Sequence, residues 1–256
     1  MTTMQQASSP YESIDEARLA ELTAAHAWIV EPITTASDAV LELPFFSWVD
    51  SLASPRDFAP AAVQLYHHSA TFPKVMGLML GTTPFSENAM MPFYAKHAFG
   101  EADHHQMLLQ WMLCHGVVDD PSDIDDVVVT RQTNACINQA YQLAIEADRA
   151  KWIVTVNCGI ERCSNHFFTR VAPKMHLLGA GHEYFDLHVE ADEHHSVMGL
   201  EHIDPVDPDS QRGRQLVAKA LEGIALWAEM LHSWIGQETT ISFSDDGRLR
   251  RLTRTA

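Results

Sequence analysis

The chain has 256 residues, of which 46% are hydrophobic and 15 are histidines, and its formal net charge is −17. It is long enough to bury a substantial core as one domain, and its acidic balance argues against a nucleic-acid partner, whose phosphates would repel it. No apolar run is long enough to span a bilayer, and the first ten residues lack the basic and apolar regions of a secretory signal. We therefore expect a cytoplasmic protein with no membrane partner.

Helical patterns dominate the chain from end to end. The predicted helices cover residues 13–30, 38–52, 55–80, 87–114, 132–158 with an extension past Glu161 towards Val171, 182–203 and 211–235. Breaks rich in Gly, Pro or Asp separate several of them, and no segment alternates convincingly as a strand does. The sequence predicts an all-α bundle of about seven core helices in a single domain, 1–256, with flexible termini at 1–12 and 245–256.

Three polar residues share one stripe of the predicted helix 182–203. His188, Asp192 and His195 are separated by four and three residues, which places them on the same face as the apolar Phe185. A buried carboxylate or imidazole costs free energy unless something compensates it, and the chain has few Lys or Arg nearby. A bound metal cation would compensate it, whereas the alternative is a hydrogen-bonded network within the core.

Two other predicted helices carry matching side chains. Glu101 and His104 are three residues apart and share a face, and Glu161 lies within a later helix. Three carboxylates and three imidazoles from three helices are the mixed set that a pair of iron or manganese ions requires in a bundle core. A structural zinc site needs only four ligands, usually with Cys. The alternatives are a solvated Glu101–His104 pair and a surface ion pair between Glu161 and Arg162.

The ligand pattern resembles that of the haem-oxygenase-like diiron oxidases and oxygenases: Glu101-x-x-His104, then Glu161, then His188-x-x-x-Asp192-x-x-His195. Residues 100–117 are similar to the corresponding helix of the terminal-alkene-forming fatty acid decarboxylases of that family. Residues 44–46 and 58–73 are similar to the opening helices of the wider thiaminase-II-like superfamily. The resemblance covers about residues 40–235 and implies a haem-oxygenase-like helical bundle.

The resemblance also implies a chemistry. The six residues would bind two Fe(II) ions, and O2 would be the co-substrate in an attack on an unactivated C–H bond of an aliphatic acid. Relatives desaturate, fragment, decarboxylate, cyclise or N-oxygenate fatty acids and amino acids, and family members are often dimers, so we expect a homodimer and allow for an external electron donor. In some relatives the first carboxylate lies further upstream of its histidine. Here that place holds no carboxylate, and His97 lies in the neighbourhood.

The substrate is predicted from polar residues on inward helix faces, which favour a small polar molecule: Tyr66, His67, His97, Asn157 and Asn165. Arg170 or Lys174 is a candidate anchor for a carboxylate, with a solvated helix side as the alternative, and His97 is a third candidate for substrate binding. We expect an amino acid or a similar small aliphatic acid. The alternatives are a medium-chain fatty acid decarboxylase, a cofactor-free thiaminase-II-like hydrolase that uses a Cys or an acid/base pair, and a non-catalytic binding protein.

Overall fold

The computed structural model describes residues 16–254, and within this range it confirms the predicted all-α class. The α-helices, labelled in chain order, are α1 (Glu16–Ala25), α2 (Ala27–Leu41), α3 (Pro44–Ser51), α4 (Ala59–Thr82), α5 (Met91–Gly100), α6 (His104–Cys114), α7 (Arg131–Glu146), α8 (Arg149–Trp152), α9 (Arg162–Leu177), α10 (Glu183–His195) and α11 (Gln211–Trp234). A π-helix, Ile153–Glu161, joins α8 to α9. Short 3-10 helices occupy Pro55–Phe58, Phe85–Met90, Pro121–Ile124 and Leu200–His202.

The first two predicted helices have the wrong boundaries. The chain breaks at His26, not between residues 30 and 38, and α2 continues through Pro32 to Leu41. Its buried residues keep helical spacing on both sides of the proline, so packing of that face outweighs the hydrogen bond that a proline removes. The predicted start of the first helix, 13–15, lies outside the described residues.

Three long predicted helices are interrupted. The segment 87–114 is broken by turns at residues 101–103, and the segment 132–171 is broken at Ala147, which adopts the left-handed conformation at φ 50°. The helix predicted over 182–203 ends at His195, and Gly199 follows it with φ +94°. Hydrophobic periodicity continued across all three breaks, so it did not reveal them.

A β-hairpin follows the last helix, although the sequence predicted no strand. β1 (Thr239–Phe243) pairs antiparallel with β2 (Leu249–Arg254), and Gly247 in the connecting turn has φ +83°. The hairpin packs on α11, where the backbone N–H of Ile241 donates to Glu229 at 2.8 Å. Residues 249–254, which the sequence analysis assigned to a flexible terminus, form the second strand of this hairpin, and residues 1–12 and 255–256 lie outside the described range.

Aromatic rings fill the centre of the bundle. Phe45 lies 5.8 Å from Phe167 and 6.0 Å from Trp234, and Trp111 makes an edge contact with Phe185 at 5.2 Å between ring centroids. Helix α10 packs on α9, and α11 packs on the π-helix. No helix within residues 16–254 is both long and apolar enough to cross a membrane.

The end of α7 provides a stability prediction. Ala147 is half-buried at φ 50°, a conformation that a Cβ disfavours and that glycine adopts freely. We expect Ala147→Gly to raise the free energy of unfolding by about 1 kcal/mol in denaturant titrations. The matched control is Ala135→Gly within the same helix, which should lower it by about 1 kcal/mol. Equal destabilisation by both variants would contradict the assigned conformation.

Candidate metal centre

Four segments of the bundle direct polar side chains to one buried point. The six residues predicted as ligands are all buried there, between 0% and 6% exposed: Glu101, His104, Glu161, His188, Asp192 and His195. His97, predicted as a substrate-binding residue, is 2% exposed and lies in the same cluster. The structure therefore brings together seven ionisable side chains.

Glu101 and His104 flank the break between α5 and α6. The backbone N–H of Glu101 bonds to the carbonyl of His97 at 3.2 Å as α5 ends, and α6 begins at His104. Their side chains meet directly, with 2.7 Å between Oε2 of Glu101 and Nδ1 of His104. The predicted spacing of three residues thus holds although the helix is not continuous.

Glu161 is the last residue of the π-helix, in which every residue from Ile153 onwards is buried. A π-helical segment inserts extra backbone per turn and reorients the residues at its end, which is why such segments often occur at functional sites. Gly223 of α11 lets the π-helix approach closely, because a Cβ there would lie only 2.7 Å from Cγ2 of Thr155. The π-helix is thereby packed tightly behind Glu161.

Helix α10 contributes three residues at the predicted spacing. The Nδ1–H of His188 donates to the carbonyl of Tyr184 at 2.6 Å, so its Nε2 keeps the lone pair. The imidazole also stacks on Phe168 with 4.2 Å between ring centroids. His188 is therefore held by contacts on both the ring face and one nitrogen.

The candidate ligand atoms form three groups whose members all lie within 4.8 Å of one another: Glu101 with His104 and His188; Glu161 with Asp192 and His195; and His97 with Glu101 and His195. Glu101 and His195 each belong to two of the groups, so the three groups adjoin one another.

The carboxylates have strongly shifted acidities. Burial raises the pKa of Asp192 well above its ordinary value, and the nearby carboxylates of Glu161 and Glu101 raise it further. Burial also opposes ionisation of Glu161, but the adjacent imidazoles of His195 and His97 outweigh it and lower its pKa. Among the described residues, Oε1 of Glu101 and Oδ2 of Asp192 are buried and accept no hydrogen bond. Both oxygens are suited to bind a cation.

The imidazoles divide into two kinds. Burial lowers the pKa of His188 to about 4, and the neighbouring His104 adds to this effect, so His188 is neutral at pH 7 and able to bind a metal. Burial also acts on His104 and His195, but the carboxylates of Glu101 and Glu161 prevail and raise the pKa of each. A divalent cation would take the place of these protons in balancing the carboxylates.

A small cavity of about 30 Å³ lies against the cluster. It is lined by Glu101, Glu161, His188 and Asp192, together with further residues that the sequence did not single out: Leu65, His68, Ser69, Phe72, Ile160, Ser164, Phe168, Tyr184 and Trp227. Ser69 and Tyr184 share a hydrogen bond at 3.2 Å across it. The sequence signal that could have identified this lining is the spacing of His68, which lies three residues after the apolar Leu65 and so shares its face of α4.

The structure does not bring the predicted carboxylate anchors to the cluster. Arg170 is exposed and donates to Oδ2 of Asp50 at 2.7 Å, and Lys174 donates to the carbonyl of Asp50 at 2.8 Å. Neither lines the cavity. Their side of α9 faces α3 and solvent, so these two predicted substrate-binding residues lie away from the cluster.

A family model described as "iron-containing redox enzyme" matches residues 60–228, which is more than half of the chain and includes the whole cluster. The chain belongs to this family. Membership confirms the predicted haem-oxygenase-like and thiaminase-II-like superfamily and agrees with an iron site in the cluster. No curated protein sequence matches this chain.

Solved structures share the fold. A TenA homologue from Pseudomonas syringae pv. tomato superposes with a TM-score of 0.71 at 17% identity, over 88% of this chain and 99% of that one. A domain of unknown function with a heme oxygenase-like fold, from Shewanella denitrificans, gives 0.65 at 18% identity, over 88% and 94%. A TenA homologue from Pyrococcus furiosus gives 0.54 at 12% identity, over 84% and 97%. At these identities the likeness shows the fold alone.

The raised pKa of Asp192 predicts the effect of a neutral replacement. In metal-free protein, burial raises the pKa of folded Asp192 above that of the unfolded chain, so the aspartate disfavours the folded state increasingly as the pH rises above about 4, where the unfolded carboxyl ionises. We expect Asp192→Asn to raise the free energy of unfolding of the metal-free protein by at least about 1 kcal/mol. The gain should be small near pH 4, where the unfolded aspartate is also protonated, and should grow towards pH 7.

Denaturant titrations with a chelator present measure this effect. Asp186→Asn is the matched control, because Asp186 lies on the same helix but is exposed, and it should change stability by less than about 0.5 kcal/mol. In the presence of Mn(II) we expect Asp192→Asn to be less stable than the wild type, because the variant gains less stability from metal binding. Destabilisation of the metal-free protein by Asp192→Asn would contradict the assigned electrostatics.

Proposed function

We propose that this protein is an O2-dependent non-haem diiron oxidase or oxygenase that acts on an unactivated C–H bond of a small aliphatic acid, most favourably an amino acid. The observation that carries the proposal is the cluster itself: three carboxylates and their imidazole partners, all buried, with donor atoms grouped within 4.8 Å. The iron-containing family supports the choice of metal. Two ferrous ions bound there would supply the electrons that reduce O2.

The protein's own contribution is a preorganised site. The carbonyl of Tyr184 fixes the tautomer of His188, and Glu101 would offer donor atoms to both ions. Apolar side chains, among them Phe72, Ile160 and Trp227, form part of the wall of the cavity beside the cluster. A cavity of about 30 Å³ has room for one water-sized molecule, and O2 is of that size.

Substrate access is best provided by a second, larger cavity of about 550 Å³ that reaches His104 from the outside. Its lining includes the charged residues Lys96, Asp103 and Glu183 and the apolar Leu187. A lining with charges of both signs and apolar surface suits a zwitterion with an aliphatic side chain. This combination favours an amino acid over a fatty acid as substrate.

The hydrolase alternative lacks a suitable thiol in the described part of the chain. Burial raises the pKa of Cys136 and of Cys158 to about 12, and that of Cys163 also rises, so these thiols stay protonated at neutral pH. Cys114 is exposed, but neither it nor any other described cysteine lines the cavity beside the cluster. A cysteine-dependent hydrolysis there has no nucleophile.

The proposal is tested by O2 consumption of the protein loaded anaerobically with Fe(II), in the presence of a panel of amino acids and medium-chain fatty acids. We expect two irons per chain and an acceleration of O2 consumption by at least about tenfold with one of the amino acids. His195→Ala and Glu161→Gln should abolish the acceleration, because the first removes a donor nitrogen from the cluster and the second replaces a charged carboxylate with a neutral amide. Asp186→Asn, an exposed neighbour on α10, should leave it unchanged.

Two results would count against this function. If the protein binds no iron at the cluster, a cofactor-free function would be favoured instead. Acceleration by fatty acids alone would retain the iron chemistry but replace the amino acid with a fatty acid as the substrate, and analysis for a terminal alkene would then identify the product.

A further inference from the structure

His97 occupies a position in the cluster that its predicted role as a substrate-binding residue does not explain. Its side chain is 2% exposed, and Nε2 lies 3.2 Å from Oε1 of Glu161. Its ring centroid is 4.2 Å from that of His195. The ring is directed at residues predicted to bind metal, and it does not line either of the two cavities beside the cluster.

The distances are those of a ligand group. The donor atoms of His97, Glu101 and His195 all lie within 4.8 Å of one another. Atoms that bind one ion at about 2.1 Å lie within about 4.2 Å of one another, so small side-chain adjustments bring these three onto a common ion. The same criterion selected the other two groups, which contain the six residues predicted from the sequence.

The distribution of nitrogen donors gives a second argument. The group around Glu101 has two imidazoles, those of His104 and His188, whereas the group of Glu161 and Asp192 has only His195. His97 approaches this second group, through Glu161 and His195. A further neutral donor there fills a coordination position without adding to the three negative charges that two divalent ions must balance.

We propose that His97 is a direct ligand of the ion held by Glu161, Asp192 and His195, so that the centre has four imidazoles and three carboxylates. This inference rests on the proposed metal centre. It distinguishes a ligand from a positioning residue, which would only hydrogen-bond Glu161 through its N–H. The two roles use different atoms of the ring, because a ligand needs a nitrogen lone pair and a donor needs a proton.

The test compares three substitutions. His97→Gln keeps an amide N–H that can donate to Glu161 but has no imidazole lone pair, and His97→Gly removes the side chain and leaves room for free imidazole. His105→Ala is the matched control, because His105 is a half-buried neighbour of His104 that belongs to none of the three groups. Far-UV circular dichroism of each metal-free variant checks that it folds.

Metal affinity is measured first, by anaerobic titration with Fe(II). We expect the wild type and His105→Ala to bind two ions, and His97→Gln to bind the second ion at least about tenfold more weakly. Loss of a hydrogen-bonding partner of a ligand also weakens metal binding by 10–100-fold, so affinity alone does not separate the two roles. The glutamine variant does, because a positioning role would be largely preserved in it.

The direct measurement is pulsed electron paramagnetic resonance of His97→Gly loaded with Mn(II) and supplied with ¹⁵N-imidazole. A ¹⁵N hyperfine coupling from a bound nitrogen, together with recovered affinity for the second ion, is the expected result. Absence of this coupling with two-ion binding intact, or wild-type affinity in His97→Gln, would overturn the role of His97 as a ligand. A wild type that binds neither Fe(II) nor Mn(II) would instead overturn the proposed metal centre.

Discussion

The interaction on which this structure depends is the repulsion among three carboxylates that are buried within a few ångströms of one another. Burial removes the water that would screen them, and an unpaired buried carboxylate is too costly for a domain of ordinary stability. The structure compensates this repulsion in part, through a strongly raised pKa at Asp192 and through imidazoles next to Glu101 and Glu161. Two divalent cations would satisfy all three at once, which agrees with membership of an iron-containing family.

This requirement explains where the helices depart from regular geometry. Glu101 lies in the break between α5 and α6, Glu161 ends the π-helix, and α10 ends at His195. Three of the residues in the cluster thus coincide with breaks or ends of regular α-helix. Proteins tolerate local departures from regular structure mainly where function requires them.

Sequence reasoning predicted the helical class and six of the seven clustered residues because both depend on local spacing. Intervals of three and four residues survive a break in a helix, as at Glu101 and His104. The π-helix could not be predicted, because residues 153–161 are buried on all sides and show no period. The hairpin was missed because its strands are short, although the Asp246–Gly247 pair is a typical turn signal.

The positions of Arg170 and Lys174 outside the cluster, and of His97 within it, have a common cause. Helical spacing shows which residues share a face of one helix, but not which neighbouring helix that face meets. Arg170 and Lys174 lie towards α3 and bond to Asp50, whereas His97 lies two helical turns before His104 and meets α10 and the π-helix. Only the tertiary arrangement decides which helix a given face contacts. Contacts between residues of different helices are therefore the hardest to predict from a single sequence.

A shared fold likewise leaves open which side chains the helices direct inward. TenA homologues share its backbone at 17% and 12% identity, which is a likeness of packing and not of chemistry. A bundle of this kind can enclose an apolar pocket with any polar residues that its helices direct inward. Here those helices direct carboxylates and imidazoles to one point and keep the buried thiols protonated. These side chains support the proposed redox chemistry at a metal and disfavour a hydrolysis that relies on a buried cysteine.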